Sequence, residues 1–304
     1  MVKKLEGAGL RGQVAGETSL STVGQIEGLA YRGHKVETLA DKATFEEVAY
    51  LLLYNKLPNK NELAEYKALL KSQRDLPQAL KEVLQKIPAS AHPMDVMRTG
   101  TSMLGNLEPE GDFSNQLNSI NRMIATMASI VTYWYKYSHD GQDISLVNDE
   151  DSMAGHFLHI LHGKTPSDLH RKVMDVSLVL YAEHEFNAST FTGRVCASTM
   201  SDIHSCVVAA IGSLRGPLHG GANEKAMELI ENWTSREEAK ENILTMLANK
   251  EKIMGFGHAV YSIRDPRNAV IKKYAKELSL LHENDTLYQV AEEVEKVMAD
   301  EKKM

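Results

Sequence analysis

Residues 114–139 read SNQLNSINRMIATMASIVTYWYKYSH, and this stretch decides the class of fold. Its apolar side chains recur at intervals of three and four residues, the spacing that brings them onto one face of an α-helix. The most apolar part, residues 123–135, is interrupted by Thr126, Ser129 and Thr132 and is shorter than the ~20 apolar residues of a membrane span. The stretch therefore predicts a long buried helix and no transmembrane segment.

Helical signals continue on both sides of this segment. Thr44 and Glu47, and again Ser235 and Glu238, have the spacing of a capping box, which predicts that each pair opens a helix. A second long helix is predicted over residues 166–186. Residues 18–31, which glycines punctuate, are the only part that favours short strands. The sequence thus predicts an all-α protein with at most a small N-terminal β element. Three prolines suit the first turns of helices: Pro77, Pro93 and Pro166.

Length and composition indicate a globular protein of two unequal domains. A chain of 304 residues is longer than one hydrophobic core usually organises, and 43% hydrophobic with 25% charged residues excludes disorder. We predict a large domain over residues 1–219 and a small domain over residues 220–304, with a boundary in the glycine-rich residues 216–221. The net charge of -7 argues against nucleic acid as a partner but allows a local cationic pocket.

Cysteine usage and the first residues indicate a cytoplasmic protein. Cys196 and Cys206 lie in what the pattern predicts as one helix, so about 15 Å of helical rise separates them. That distance is too large for a disulfide, and both cysteines are expected to be reduced core residues. The initial residues are followed by polar, glycine-rich sequence, so no secretory signal is predicted.

Histidines stand at three predicted breaks between helices. His219 lies in GPLHGG at residues 216–221, and His258 lies in GFGHAV at residues 255–260. Glycines beside a histidine let a ligand approach closely and leave amide groups free to bind an anion. A helix-ending turn with an incidental histidine explains the first of these breaks equally well. His184 lies at the third break. Together, the three histidines and Arg267 nevertheless favour a site in which these side chains converge on a small polyanion.

Two further groups of polar residues have more than one interpretation. Arg267 follows Pro266 at a predicted helix start, a place that favours anions, and is either a carboxylate clamp or a surface arginine. His156, His159 and His162 are three residues apart, so the first and third point about 120° away from each other around a helix. This spacing favours packing histidines over a metal site.

These segments resemble the citrate synthase family, most closely its bacterial 2-methylcitrate synthase branch. The resemblance implies an all-helical fold with a large and a small domain, a site between them, and a homodimer whose domains close over the substrate. It runs over nearly the whole chain: LRGQ at residues 10–13, HPMDVMR at 92–98, GHFLH at 155–159, YAEHEFNAST at 181–190, and both glycine–histidine loops.

The resemblance implies an enzyme that joins an acyl-CoA to oxaloacetate. His219 would donate a hydrogen bond to the thioester carbonyl, while His258 would polarise the ketone of oxaloacetate and protonate the new alkoxide. His184 and Arg267 would hold the oxygens of oxaloacetate. No metal or redox cofactor is implied, because the CoA thioester is itself a substrate. The backbone of one loop would bind the adenine of CoA: Lys252, Ile253, Met254, Gly255 and Phe256.

The resemblance also implies a general base that we do not find in these 304 residues. In the family it is an aspartate that follows a helix like residues 286–303, and that position lies beyond Met304, as does the return of the chain to the large domain. Neither Asp265 nor Asp300 is a suitable substitute. We therefore expect the 304 residues alone not to turn over. A noncatalytic acyl-CoA or dicarboxylate sensor is the alternative from another class.

The two candidate acyl donors are propionyl-CoA and acetyl-CoA. One methylene is worth only ~1–3 kcal/mol in a hydrophobic pocket, so spacing arguments do not separate propionyl-CoA from acetyl-CoA. Residues 92–98 and 181–192 resemble 2-methylcitrate synthases more than citrate synthases. This favours condensation of propionyl-CoA, oxaloacetate and water to 2-methylcitrate and CoA, a step of propionate metabolism, with acetyl-CoA as the alternative.

Overall fold

The computed structural model describes residues 15–24, 28–257, 265–281 and 285–302, and these are predominantly helical. The predicted all-α class with a small N-terminal sheet is confirmed. The elements in chain order are β1 (Ser21–Gly24), β2 (Gly28–Tyr31), β3 (His34–Lys35), α1 (Val36–Lys42), α2 (Phe45–Tyr54), α3 (Lys60–Ser72), α4 (Gln78–Gln85), α5 (Pro93–Leu107), a 3-10 helix (Phe113–Asn115), α6 (Gln116–Asp140), α7 (Met153–His162), α8 (Asp168–Leu180), α9 (Ala188–Ala197), α10 (Ile203–Leu214), α11 (Gly221–Glu231), α12 (Arg236–Ala248), α13 (Pro266–Ser279) and α14 (Thr286–Lys302).

The three strands form one antiparallel sheet in the order β1-β2-β3. Ser21 pairs with Tyr31, and Tyr31 pairs with His34. β1 and β2 lie within the predicted region 18–31, and β3 adds two residues just after it. The buried Tyr31 hydroxyl donates to the carbonyl oxygens of Val179 (3.0 Å) and Leu180 (3.2 Å), which fastens the sheet to the end of α8.

Both predicted capping pairs open a helix. Thr44 and Glu47 form the complete box at α2, where the Thr44 hydroxyl accepts from the Glu47 amide and the Glu47 carboxylate accepts from the Thr44 amide. Ser235 caps α12, but the Glu238 carboxylate accepts from the amide and the hydroxyl of Thr234. The Glu238 carboxylate thus binds Thr234 and not the amide of the N-cap Ser235, because Thr234 offers it two donors.

One of the three prolines occupies the position expected for it. Pro93 is the first residue of α5. Pro77 is instead the N-cap of α4, with φ -56° and ψ 142°, because proline readily adopts the extended backbone of that position. Pro166 precedes Ser167, which caps α8 through its hydroxyl. The predicted helices exist, but two of them begin after the proline.

Of the two long helices that the sequence predicts, one is confirmed and the other ends earlier than predicted. α6 confirms the buried helix expected over residues 114–139, and no helix within the described ranges is long and apolar enough to cross a bilayer. α8 ends at Leu180, before the predicted end at Phe186. The helix stops because Glu183 and Glu185 bind β1, and Glu185 has a φ of 51°, which a helix does not allow.

Buried apolar side chains form three main clusters and a smaller fourth one between α2, α3, α6 and α7. α11, α12 and α14 share the third cluster, whereas Tyr274 of α13 packs into the first. The domain boundary between residues 219 and 220 stays a prediction. The clusters are centred on β2, α1 and α8 (Leu29, Val36, Val176), on α4, α5 and α6 (Leu80, Leu104, Trp134), and on α12 and α14 (Ile243, Val294, Val297).

The prediction that one helix carries both cysteines is wrong. Cys196 lies on α9 and Cys206 on α10, and the chain reverses between them at residues 198–202. The helices pack so closely that a Cβ at Gly193 would lie 3.4 Å from the carbonyl oxygen of Cys206. Both cysteines are free, and Cys206 is buried. The estimate of 15 Å fails because the helix breaks at Ser198.

Of the three histidines on α7, His156 packs in the core as expected. His156 is fully buried, where its Nε2 lies 3.2 Å from Ser129 Oγ and its Nδ1 lies 2.9 Å from Asn148 Nδ2. Because the Ser129 hydroxyl donates to a backbone carbonyl, it accepts from His156 Nε2. His159 is half-buried and His162 is exposed. No group of three or more histidine, cysteine or acidic residues in the described part of the chain could hold a metal ion.

Candidate active site

His219 lies in a tight loop between α10 and α11. The amides of His219 (2.9 Å) and Gly221 (3.2 Å) both donate to the carbonyl oxygen of Gly216. A Cβ at Gly220 would lie 2.7 Å from the carbonyl oxygen of Leu214, and one at Gly221 would lie 3.0 Å from that of Gly216. Glycine at these two positions therefore lets the loop fold back onto the end of α10.

The His219 ring contacts the first turn of α9. Its Nε2 atom accepts a hydrogen bond from the backbone amide of Ser189 (3.2 Å) and lies 2.9 Å from Ser189 Oγ. Because a backbone amide can only donate, Nε2 carries no proton and the ring proton is on Nδ1. The contact joins residues thirty positions apart and fixes the orientation of the ring.

Asn187 builds the end of α9 that receives this ring. Its Oδ1 atom caps the helix by accepting from the amide of Thr190 (3.0 Å), and it also accepts from the Ser189 hydroxyl (2.7 Å). Since the Ser189 hydroxyl proton points to Asn187, the donor to His219 is the Ser189 backbone. The N-cap thus orients the hydroxyl and leaves a backbone amide for the histidine.

The electrostatic environment keeps His219 neutral. Burial lowers the pKa of His219 from its ordinary value of 6.5. The positive partial charge at the N-terminus of α9 also disfavours an imidazolium ring there. At neutral pH the ring therefore presents one donor, Nδ1–H, and Nδ1 makes no hydrogen bond within the described part of the chain.

His184 lies in the short connection between α8 and α9, which β1 holds in place. The Ser21 hydroxyl donates to Glu183 Oε1 (3.2 Å) and accepts from the amide of Glu185 (2.9 Å). The Val23 amide donates to Glu185 Oε1 (2.8 Å). Burial raises the pKa of Glu183, although its carboxylate also accepts from Ser21 and from the amides of Glu185 and His184. The sheet therefore positions the segment that begins with His184 and leads to α9.

Arg267 is in the first turn of α13 and already holds a carboxylate. Asp265 caps this helix by accepting from the Arg267 amide (3.0 Å). Two parallel bonds join the side chains, from Arg267 Nε to Asp265 Oδ1 (2.9 Å) and from Nη2 to Oδ2 (2.6 Å). The half-buried guanidinium is thus arranged for two-point recognition of a carboxylate.

Residues 252–256 pack beside the helix that follows His219. Ile253 is buried in the third cluster, and Phe256 packs against the same cluster. Gly255 has a φ of 94°, and a Cβ there would lie 3.2 Å from the Cβ of Ala226 on α11. Lys252 is exposed. The loop therefore lies along α11 with Gly255 exposed.

The structure describes most of the predicted site residues, and their convergence in one site stays a prediction. His219 binds Ser189, which follows His184 by five residues along the chain. His258 and the LRGQ segment at residues 10–13 lie outside the described residues. Sequence reasoning missed the roles of Asn187 and Ser189, although an asparagine before a helix is a recognisable N-cap signal.

A cavity of about 880 Å³ lies elsewhere, between α3, α7 and α8. Its walls carry cations such as Lys67 and Arg171 together with anions such as Asp149 and Asp175, so they select no single class of ligand. None of the predicted site residues lines it.

Comparison with known proteins assigns the family. The family model described as "Citrate synthase, C-terminal domain" matches residues 9–304. The chain is 62% identical to the 2-methylcitrate synthase of Shewanella oneidensis, covering 99% of this chain and 81% of that protein. It is 39% identical to the citrate synthase of Deinococcus radiodurans, covering 96% of this chain and 78% of the relative.

Solved structures agree with this assignment. The citrate synthase of Thermoplasma acidophilum in ternary complex with carboxymethyl coenzyme A and oxaloacetate superposes with a TM-score of 0.90 at 29% identity, covering 96% of this chain and 78% of that chain. The citrate synthase of Thermotoga maritima gives a TM-score of 0.83 at 34% identity, covering 97% and 78% respectively. This chain belongs to the citrate synthase family.

Proposed function

We propose that this protein condenses propionyl-CoA with oxaloacetate and water, releasing 2-methylcitrate and CoA. The observation that carries the proposal is a neutral His219 ring whose Nε2 accepts from the Ser189 backbone, so that Nδ1–H is its donor. The 62% identity to the Shewanella oneidensis 2-methylcitrate synthase supports propionyl-CoA as the acyl donor. The ligands of the Thermoplasma acidophilum complex support a CoA thioester and oxaloacetate as the pair of substrates.

A neutral, oriented imidazole suits the first chemical step. When the α-proton leaves the thioester, negative charge develops on the carbonyl oxygen, and a donor aimed at that oxygen binds the transition state more strongly than the ground state. His219 Nδ1–H would be that donor. The bond from Ser189 to the opposite edge of the ring keeps the donor direction constant during the step.

The α-proton passes to the aspartate base that the family resemblance implies, and other predicted residues act on oxaloacetate. His258 would polarise the ketone of oxaloacetate and protonate the alkoxide that forms when the new carbon–carbon bond closes. Arg267 and His184 would hold the oxygens of oxaloacetate. A substrate carboxylate would use the two-point geometry that Asp265 now occupies. Water then hydrolyses the thioester and CoA leaves from the loop of residues 252–256.

We further propose that catalysis needs no metal or redox cofactor, and that the protein is a cytoplasmic homodimer. The CoA thioester activates the acyl group by itself, so the chemistry calls for no additional electrophile. The expected results are an unchanged rate after treatment with EDTA and a mass of two chains by light scattering. A rate that returns only when a metal is added back would contradict the first statement.

Acetyl-CoA is the alternative acyl donor, supported by the 39% identical citrate synthase of Deinococcus radiodurans. The test is kcat/KM for the two thioesters on the complete gene product, with CoA release followed by a thiol reagent. Propionyl-CoA should be preferred by about tenfold or more, as expected for one well-packed methylene. A preference for acetyl-CoA would change the substrate assignment.

The role of His219 is tested by His219→Ala, with His162→Ala as the matched control on the exposed end of α7. Loss of one donor to a developing oxyanion should lower kcat by about 10²–10³-fold, while the control keeps wild-type activity. Equal activity of both variants would contradict the role of His219. Binding of both substrates without turnover by the complete gene product would indicate a noncatalytic acyl-CoA or dicarboxylate sensor.

A further inference from the structure

The N-terminus of α5 contacts both ends of the loop that carries His219. At the start of the loop, Arg215 Nε lies 3.5 Å from Asp95 Oδ2. After the loop, in the first turn of α11, Glu224 Oε2 lies 3.1 Å from His92 Nε2. Asp95 is in the first turn of α5 and His92 is its N-cap. One helix end therefore braces the loop on both sides.

The direction of the His92 ring is set by its own helix. His92 Nδ1 caps α5 by accepting from the amide of Met94 (3.1 Å), so the ring proton is on Nε2 and points to Glu224. Pro93 at the first helical position restricts the backbone next to the ring. His92 is thus a directed donor on a rigid support, and the Glu224 carboxylate is the partner that it positions.

This contact also joins two separately packed parts of the protein. α5 packs into the second apolar cluster through Val96 and Leu104, whereas α11 packs into the third through Leu229 and Ile230. The pair between His92 and Glu224 therefore fixes the start of α11 relative to α5. Because His219 lies only a few residues before α11, any rotation of this helix also moves the imidazole ring.

We propose that His92 and Glu224 are positioning residues that hold the His219 ring against the N-terminus of α9. Neither residue touches the reacting atoms in this assignment. The effect on catalysis rests on the proposed function, because it acts through the donor at His219 Nδ1. The effect on the orientation of the ring does not depend on what the enzyme condenses.

The size of the effect follows from the exposure of the pair. The Glu224 side chain is 45% exposed and that of His92 is 23% exposed, so solvent screens much of their attraction. Loss of such a pair should lower kcat by about two- to fivefold, with KM for oxaloacetate unchanged. The change is small, and it is measurable against a matched control.

The chain offers suitable variants for the test. His92→Asn keeps a strong N-cap for α5 and removes the ring that reaches Glu224. Glu224→Ala removes the acceptor, whereas Glu224→Gln keeps an oxygen that can accept from His92 Nε2. Glu228→Ala is the control, because Glu228 lies one turn later on α11 and pairs only with exposed Lys225 among the described residues.

The first measurement needs no substrate. In protein labelled with ¹⁵N and ¹³C at histidine, the ring signals of His219, assigned with a His219→Gln variant, should shift in Glu224→Ala and His92→Asn and stay in place in Glu224→Gln and Glu228→Ala. Unchanged His219 signals in both pair-breaking variants, with melting temperatures like the wild type, would overturn the proposal. So would an equal shift in Glu228→Ala.

The second measurement is kcat. His92→Asn and Glu224→Ala should each lower it, and the double variant should be no slower than either single variant, because both remove the same contact. Fully additive losses would overturn the proposal. If the complete gene product turns over neither thioester, the proposed function fails, while the ring signals of His219 still decide whether His92 and Glu224 position it.

Discussion

Replacing Asp175 by asparagine should stabilise the protein at neutral pH and leave its stability unchanged in acid. Asp175 lies on α8, is only 6% exposed, and accepts from the amide of Phe45 (3.0 Å). Burial, together with the neighbouring Glu46 carboxylate, raises the pKa of Asp175 from 3.8 to about 6. The amide oxygen of the asparagine side chain can accept the same bond from Phe45 without carrying a charge.

The magnitude follows from the two pKa values of Asp175. The interval between 3.8 and about 6 corresponds to about 3 kcal/mol, at ~1.4 kcal/mol for each pH unit. A raised pKa in the folded state means that the stability contributed by this group is present below pH 3.8 and is lost as the pH rises through 6. The free energy gained by Asp175→Asn should therefore be near zero at low pH and approach about 3 kcal/mol above pH 7.

The assay is unfolding by urea at a series of pH values, followed by the fluorescence of the two tryptophans. Asp168→Asn is the matched control, because Asp168 lies in the first turn of the same helix and its side chain is fully exposed. The control should change stability by less than about 1 kcal/mol at every pH. A gain for Asp175→Asn that is independent of pH, or a loss at neutral pH, would refute the reasoning.

Three further predictions concern two buried side chains and the backbone amide of Ser189. Burial lowers the pKa of His156 from 6.5 to about 3, so the stability from its neutral ring is present above pH 6.5 and lost as the pH falls towards 3. His156→Gln should reduce this acid loss by up to about 5 kcal/mol, measured by urea unfolding. Ser189→Pro removes the backbone amide that donates to His219 and should lower kcat by about tenfold or more, whereas Ser189→Ala keeps this amide and should lower kcat less. Equal losses of kcat in the two variants would contradict the assigned donor. Burial raises the pKa of the Cys206 thiol to about 11, so iodoacetamide should label the more exposed Cys196 first, and mass spectrometry of native protein that shows equal labelling would contradict this.

Most helix positions could be predicted because their signals are local. The capping pair of Thr44 and Glu47 satisfies amides within three residues, so sequence spacing alone locates the start of α2. The end of α8 could not be predicted in this way. It depends on contacts from Glu183 and Glu185 to Ser21 and Val23 on β1, which lie more than one hundred residues earlier in the chain.

The same distinction applies to the cysteines. Apolar periodicity is continuous enough around Cys196 and Cys206 to suggest one helix, whereas Asp202 caps a new helix and the chain folds back. The two cysteines lie on neighbouring helices because α9 packs on α10. Helical periodicity indicates which face is apolar, but it does not indicate which neighbouring helix covers that face.

The sequence by itself determined the helical class, the small N-terminal sheet, the family, and the glycine-flanked position of His219. Only the tertiary structure decided the chemical state of that histidine. Its tautomer depends on the amide of Ser189, and its lowered pKa depends on burial among other elements. The physical reason is that residue types and local spacing specify which groups are available, whereas protonation depends on partners brought together by the packing of distant helices.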